Sequence, residues 1–172
     1  TPHVDEKEAT IEIRSEITND ATEKATLEVI HQIYDPQGKL QQTLKQRLSV
    51  KAGETQTVRK TSAIGQPQLW SPESPRLYEI VTTLRNPKTG MELDRSTHKT
   101  GFRWFSFDGE KGFSLNGKPY KLRGVNRHQD QAPVGVALDD EAHRRDIRLI
   151  KEMGCNFIRI AHYPQDDALV EA

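Results

Sequence analysis

Two stretches decide how this chain folds: Gly124-Val-Asn-Arg-His-Gln-Asp130 and Asn156-Phe-Ile-Arg-Ile-Ala-His-Tyr-Pro164, held apart by the amphipathic run Asp139–Met153. Asp139 or Asp140 is placed to cap a helix that runs to about Met153. Ala142, Asp146, Leu149 and Met153 form one stripe of it, widened by Ile147 and Ile150, and Gly154 is a natural stop. Asn156–Ala161 then reads as a strand, and Pro164 can open a second helix over 165–172. Upstream, Asn116-Gly117 sits between two short apolar arms, and both residues accept positive φ cheaply, the strongest short-range hairpin signal. The second arm runs on as the strand Tyr120–Asn126, followed by a loop over Arg127–Leu138 that contains Pro133 and Gly135. Strand, loop, helix, strand, helix is a βαβα unit, which requires parallel strands joined by a right-handed crossover.

Before Gly101-Phe-Arg103 the texture is different. Ile11, Ile13 and Ile17 alternate within Ala9–Thr18, and Leu27, Val29 and Ile33 within Ala25–Tyr34. Leu44, Leu48 and Val50 follow, then Tyr78, Ile80 and Leu84. Period-two alternation marks strands with one buried face. Turn chemistry separates the runs: Asn19-Asp20, Asp35-Pro-Gln-Gly38, Ala52-Gly53 and Asn86-Pro-Lys-Thr-Gly90. About six or seven short strands with regular turns and no helical run read as an antiparallel sandwich of immunoglobulin type. The fold class expected is therefore mainly β, a sandwich over 1–105 followed by the βαβα segment over 106–172.

Lys+Arg and Asp+Glu both number 25 in 172 residues, so there is no electrostatic reason to expect nucleic acid or an anionic membrane as partner. No apolar run approaches the roughly 20 residues of a membrane span, and the N-terminus carries no secretory signal pattern. Thr1 is not a natural initiator, and the chain reads as one excised from something longer. A soluble protein is expected, with cytoplasm and periplasm both open. The lone Cys155 excludes an internal disulfide framework and a Cys-based zinc site.

In parallel sheets ligands meet the carboxyl ends of the strands. The two quoted stretches fall there, and each places a histidine just past its strand, His128 and His162. Adjacent parallel strands lie about 4.8 Å apart, which lets the two imidazoles converge on one ligand. Sugars suit such a site, since each hydroxyl both donates and accepts, and Asn126, His128, Asp130 and Arg159 match that pairing. The competing readings are loop-ordering hydrogen bonds and a two-histidine metal site, for which no third ligand stands at a recognisable spacing. His143, beside Arg144 and Arg145, reads as solvated surface; His3, His31 and His98 read as structural or exposed. Arg159, mid-strand among apolar residues, calls for a carboxylate partner that neither strand offers. Trp70-Ser-Pro-Glu-Ser-Pro-Arg-Leu-Tyr78 reads as a rigid bridge into the next strand. A carbohydrate-binding module is a further alternative for the sandwich, although aromatics are only 6% of the chain and do not cluster.

The ordered set Leu69–Tyr78, Gly101-Phe-Arg103, Phe113-Ser-Leu-Asn-Gly-Lys-Pro119, Leu122-Arg-Gly-Val-Asn-Arg-His128 and His162-Tyr-Pro164 resembles glycoside hydrolase family 2, which contains β-galactosidases, β-glucuronidases and β-mannosidases. The resemblance implies that 1–105 is the immunoglobulin-like domain before the catalytic domain, and that 106–172 begins a (β/α)8 barrel. It implies that His128 and His162 line the glycone subsite and that Arg159 neighbours the catalytic nucleophile. It implies that Asp130 matches a substrate-contacting Asp of β-glucuronidases, where β-galactosidases can carry His. Asn126 and Arg127 are expected to position the loop. Family members retain anomeric configuration with two Glu residues, one acid/base and one nucleophile. Both are expected on later barrel strands, so no catalytic residue is assigned and the 172-residue chain alone is expected to be inactive. The parent is expected to act on terminal β-galactosides, with β-glucuronides and β-mannosides as alternatives. A homo-oligomer is compatible with the pattern. Some β-galactosidases use Mg2+ and Na+, but no metal ligand or other cofactor site is identifiable in this sequence.

Overall fold

A computed structural model describes residues 1–132 and 134–172. Pro133, placed by the sequence in the loop after the first parallel strand, lies outside the described residues. The chain divides into two compact units, Thr1–Ser106 with Ser114–Lys118, and Phe107–Phe113 with Pro119–Ala172.

The first unit is the sandwich. One sheet has the order β1-β2-β5, formed by β1 (His3–Val4), β2 (Glu8–Thr18) and β5 (Thr55–Gly65). The other has the order β4-β3-β6-β7, formed by β3 (Ala25–Tyr34), β4 (Leu40–Val50), β6 (Tyr78–Arg85) and β7 (Glu92–Thr100), all antiparallel. The alternating residues point inward as their spacing demands. Ala9, Ile11, Ile13, Ile33, Ile64, Tyr78, Ile80 and Phe102 form one buried cluster, and Ile17, Leu27, Val29, Val50 and Val58 the other. Each buried isoleucine, leucine, valine or phenylalanine among them contributes about 1.5–3 kcal/mol by leaving water. Phe102 meets Tyr78 edge-on, ring centres 4.7 Å apart. The Tyr78 hydroxyl accepts from the Gln68 amide at 3.0 Å, so this buried phenol keeps a polar partner. Trp70 is held on the sandwich as expected: its amide donates to the Phe102 carbonyl at 2.8 Å, and the Arg103 guanidinium lies 4.7 Å from its ring centre.

The turns follow their chemistry. Asn19 is buried and its Nδ2 donates to the carbonyls of Glu23 and Val50 at 2.8 and 3.0 Å. Asp35 Oδ1 accepts from the amides of Gln37 and Lys39, both at 2.9 Å, and the Lys39 amide bond leads in holding its carboxyl below the usual carboxylate range. At Asn116-Gly117 the φ angles are 50° and 75°, the left-handed pair a tight hairpin needs. This hairpin joins β9 (Gly112–Leu115) to β10 (Lys118–Pro119), and β8 (Phe105–Asp108) completes a sheet of order β10-β9-β8.

In the second unit β11 (Gly124–Arg127) and β12 (Phe157–Ile160) pair in parallel, with α1 (Asp140–Glu152) as the crossover and α2 (Asp167–Glu171) after the second strand. Asp139 caps α1 by accepting from the Ala142 amide at 2.8 Å, and Gly154 ends it with φ 82°. Three expectations are corrected. Tyr120–Arg123 is not strand: Asn156 Oδ1 takes the Arg123 amide at 2.8 Å, and its Nδ2 donates to the Lys121 carbonyl at 3.0 Å, so a side chain satisfies the backbone there. The second helix starts at Asp167 instead of Gln165, because the Asp166 carboxylate caps it through the Ala168 amide at 2.8 Å. The inward face of α1 carries Ala142, His143, Asp146, Ile147 and Ile150, while Leu149 and Met153 are 48% and 71% exposed. No described helix is long and apolar enough to cross a membrane.

Candidate functional site

The register of the parallel pair orders the candidate residues. Asn126 lies opposite Arg159, and in a pleated pair such partners share a face. Arg127 therefore leaves from the other face, toward Asp146 and His143 of α1. A glycine opens the pair: a Cβ on Gly124 would stand 2.5 Å from the Phe157 carbonyl oxygen, closer than any side chain tolerates.

His128 and His162 come together. Their ring centres are 5.8 Å apart and their planes cross at 68°. His162 sits at φ 78°, a left-handed backbone that a non-glycine residue adopts at a cost of order 1–3 kcal/mol, and such strain gathers at functional sites. Among the described residues neither imidazole makes a hydrogen bond; the same is true of the side chains of Asn126, Asp130 and Arg159. All five are exposed, so their polar atoms face water or a ligand. Arg159 thus has no carboxylate partner among the described residues. The structure brings His128 next to His162 and places Asn126 and Arg159 on one face, and Asp130 follows two residues beyond His128.

Beneath this rim lies a polar cluster that the sequence reading captured only through Arg127. Arg127 is 6% exposed, and its Nε and Nη2 both donate to Asp146 Oδ2, at 3.0 and 2.8 Å. Nη2 also donates to His143 Nδ1 at 3.2 Å, and Nη1 to Gln165 Oε1 at 3.1 Å. Gln131 Nε2 donates to both oxygens of Asp146, at 3.3 and 3.4 Å. His143, expected to be solvated surface, is instead 3% exposed. Its neighbours Arg144 and Arg145 do point to water, but one position on a helix turns 100°, and His143 falls on the inward side. The signal that could have located this cluster was Asp146 itself, a carboxylate in the inward stripe of an amphipathic helix, where a charge requires a partner.

A second tie links the rims. The backbone amide of Gln129 donates to the Tyr163 hydroxyl at 3.0 Å, and Gln165 Nε2 donates to the Tyr163 carbonyl at 3.3 Å. Gln129 Oε1 is buried with no hydrogen-bond partner among the described residues. No three His, Cys, Asp or Glu side chains among the described residues converge as a metal cage.

Comparison with known proteins puts a family to this arrangement. The family model for glycosyl hydrolases family 2 matches residues 1–103, and the model for the TIM barrel domain of the same family matches 108–172. A β-galactosidase of Bacteroides ovatus is 34% identical over 172 residues, 99% of this chain and 20% of that protein. A β-glucuronidase of Bacteroides fragilis is 47% identical over 103 residues, 59% of this chain and 14% of that protein. Among solved structures, a β-glucuronidase of Bacteroides uniformis is 62% identical with a TM-score of 0.96, over 99% of this chain and 20% of that one. The chain thus spans about a fifth of the length of the relatives that match along all of it. With a matched sandwich, a matched barrel start and paired histidines at adjacent parallel strand ends, this chain belongs to glycosyl hydrolase family 2.

Proposed function

We propose that the parent protein is a retaining exo-glycosidase acting on terminal β-glucuronides, and that residues 106–172 supply part of its glycone subsite while residues 1–105 support the barrel. The observation that carries the glycone role is the pair His128 and His162, 5.8 Å apart at adjacent strand ends and unpaired among the described residues. Imidazole nitrogens there would donate to and accept from sugar hydroxyls, and contacts that strengthen as the ring flattens toward an oxocarbenium ion raise kcat. Asn126 and Asp130 would add contacts from the first strand end. Arg159, unpaired among the described residues, would face the nucleophilic carboxylate contributed by a later strand. Two Glu residues, acid/base and nucleophile, would come from elsewhere in the parent.

Glucuronide is preferred to the galactoside expectation because of the 62% identity to the B. uniformis β-glucuronidase, a structure of which is covalently bound to cyclophellitol-6-carboxylate aziridine. Covalent capture fits a nucleophilic retaining site. The galactoside reading keeps one specific support, the B. ovatus β-galactosidase that is similar along 99% of the chain.

The test is turnover of p-nitrophenyl β-glucuronide, β-galactoside and β-mannoside by the full-length parent and by residues 1–172. Fastest hydrolysis of glucuronide by the parent and none by residues 1–172 is expected. Fastest hydrolysis of galactoside would transfer the assignment to the second reading, and no hydrolysis of any of the three would overturn both. His128→Ala in an active parent is expected to lower kcat/KM by about 10²-fold, the loss seen when one preorganised donor is removed.

A further inference from the structure

We infer that Arg127 is a positioning residue: one buried guanidinium sets the spacing of the two rim histidines. This rests on the glycosidase reading above and deepens it. Arg127 lies between Asn126 and His128, while Gln165 lies three residues past His162. Its Nη1 bond to Gln165 Oε1 at 3.1 Å therefore ties one rim segment to the other. The Asp146 and His143 bonds, at 2.8 and 3.2 Å, anchor that tie to the rigid crossover helix α1. The Gln129 amide on the Tyr163 hydroxyl at 3.0 Å closes the same two segments at the residues following each histidine. His128 thus lies between the two ties, at Arg127 and Gln129, and both reach the chain just past His162, at Gln165 and Tyr163, while the two histidines' own nitrogens make no bond among the described residues.

The chemistry of the guanidinium decides why it is there. It has five donors in a fixed planar fork, so it can hold a carboxylate, an amide oxygen and an imidazole nitrogen at fixed angles, which lysine cannot. Because the guanidinium only donates, His143 Nδ1 is the acceptor in this cluster. A buried ion pair is a poor device for stability, since apolar residues of equal volume serve as well or better. It is a good device for geometry, and a misplacement of about 1 Å at a reacting centre can cost about 10²-fold in rate.

The experiment uses the full-length parent and the variants Arg127→Lys and Gln165→Met. Gln165→Met removes the bond from Arg127 to the second rim, together with the weaker bond from Gln165 Nε2 to the Tyr163 carbonyl, and leaves Arg127 paired to Asp146, so it keeps the fold even where Arg127→Lys does not. The expected result is a fall in kcat of roughly 100-fold for Arg127→Lys and roughly 10-fold for Gln165→Met, with KM changed much less. Rates are taken per folded active site, counted by a covalent inhibitor. Crystal structures of both variants should show the two imidazole centres no longer at 5.8 Å. Unchanged kcat per active site in Gln165→Met, or an unchanged ring separation in its crystal structure, overturns the positioning role. Absence of turnover in the wild-type parent overturns the hydrolase reading instead, and the ring separation still decides the positioning claim by itself.

Discussion

The two units of this chain differ in how their buried charge is used. The sandwich buries isoleucine, valine, leucine and two facing aromatic rings, Tyr78 and Phe102. The start of the barrel buries Ala161, Ala168 and Leu169 and, beside them, an ion-paired arginine and a histidine, with Asp146 half-buried against the two. An apolar interior is non-directional and tolerates repacking, whereas a hydrogen-bonded ionic interior fixes angles and fails when one member is lost. The unit that carries the candidate sugar contacts is the one with the directional interior. If His128 and His162 hold the sugar as proposed, positional accuracy matters at their strand ends.

The contrast can be broken at its strongest point by Asp146→Ala, which strands a buried guanidinium and should cost about 3–5 kcal/mol in the β11–β12 segment. Amide exchange in the full-length parent, read separately for β11–β12 and for β3, checks it, and protection of β3 should be unchanged. The double change Arg127→Met with Asp146→Leu should restore most of the protection while leaving kcat low. Recovery of kcat as well would show that the ionic cluster has no role in catalytic geometry. Gly124→Ala is expected to cost about 1–3 kcal/mol by forcing β11 from the Phe157 carbonyl, again confined to the parallel pair. In the sandwich, Ile33→Val should cost only about 0.5–1.5 kcal/mol, measured as exchange in β3, with no effect on hydrolysis.

The smallest expected effect is a pH dependence located in the sandwich. His31 is fully buried, its Nδ1 is 3.0 Å from Thr82 Oγ1, and its Nε2 has no partner among the described residues. Burial first, and the Lys60 charge second, push its pKa below the ordinary 6.5. The unfolded chain therefore binds the extra proton more readily than the folded one, so stability is complete above about pH 6.5 and falls as pH drops through the window below it. His31→Leu should remove that acid-side loss in β3 exchange measured between pH 7 and pH 5. An unchanged pH slope would assign the acid sensitivity to other groups.

Read as sequence, β2, β3, β4 and β6 were legible because Ile11, Val29, Leu48 and Ile80 stand at alternate positions. Strand β5 was not legible, because its inward positions include Gln56, Lys60 and Ser62 beside Val58 and Ile64, so the period disappears. Strand β7 was missed as well: its residues are exposed from Glu92 to Lys99, and it is held by backbone pairing to β6 without a buried face of its own. The crossover helix was legible from its caps, Asp139 and Gly154, which act within a few residues of themselves. The convergence of His128 and His162 was legible too, since parallel pairing makes equivalent strand ends neighbours.

What the amino-acid order determined by itself was therefore whatever depends on local periodicity and turn chemistry: the alternating strands, the Asn116-Gly117 hairpin, the α1 boundaries and the two rim segments. The tertiary structure alone decided the burial of His143, the role of Asn156 in replacing strand pairing, and the convergence of Asp146 and Gln165 on Arg127. The physical reason is distance along the chain. Arg127 meets partners 16, 19 and 38 residues away, and such contacts leave no periodic trace in the sequence.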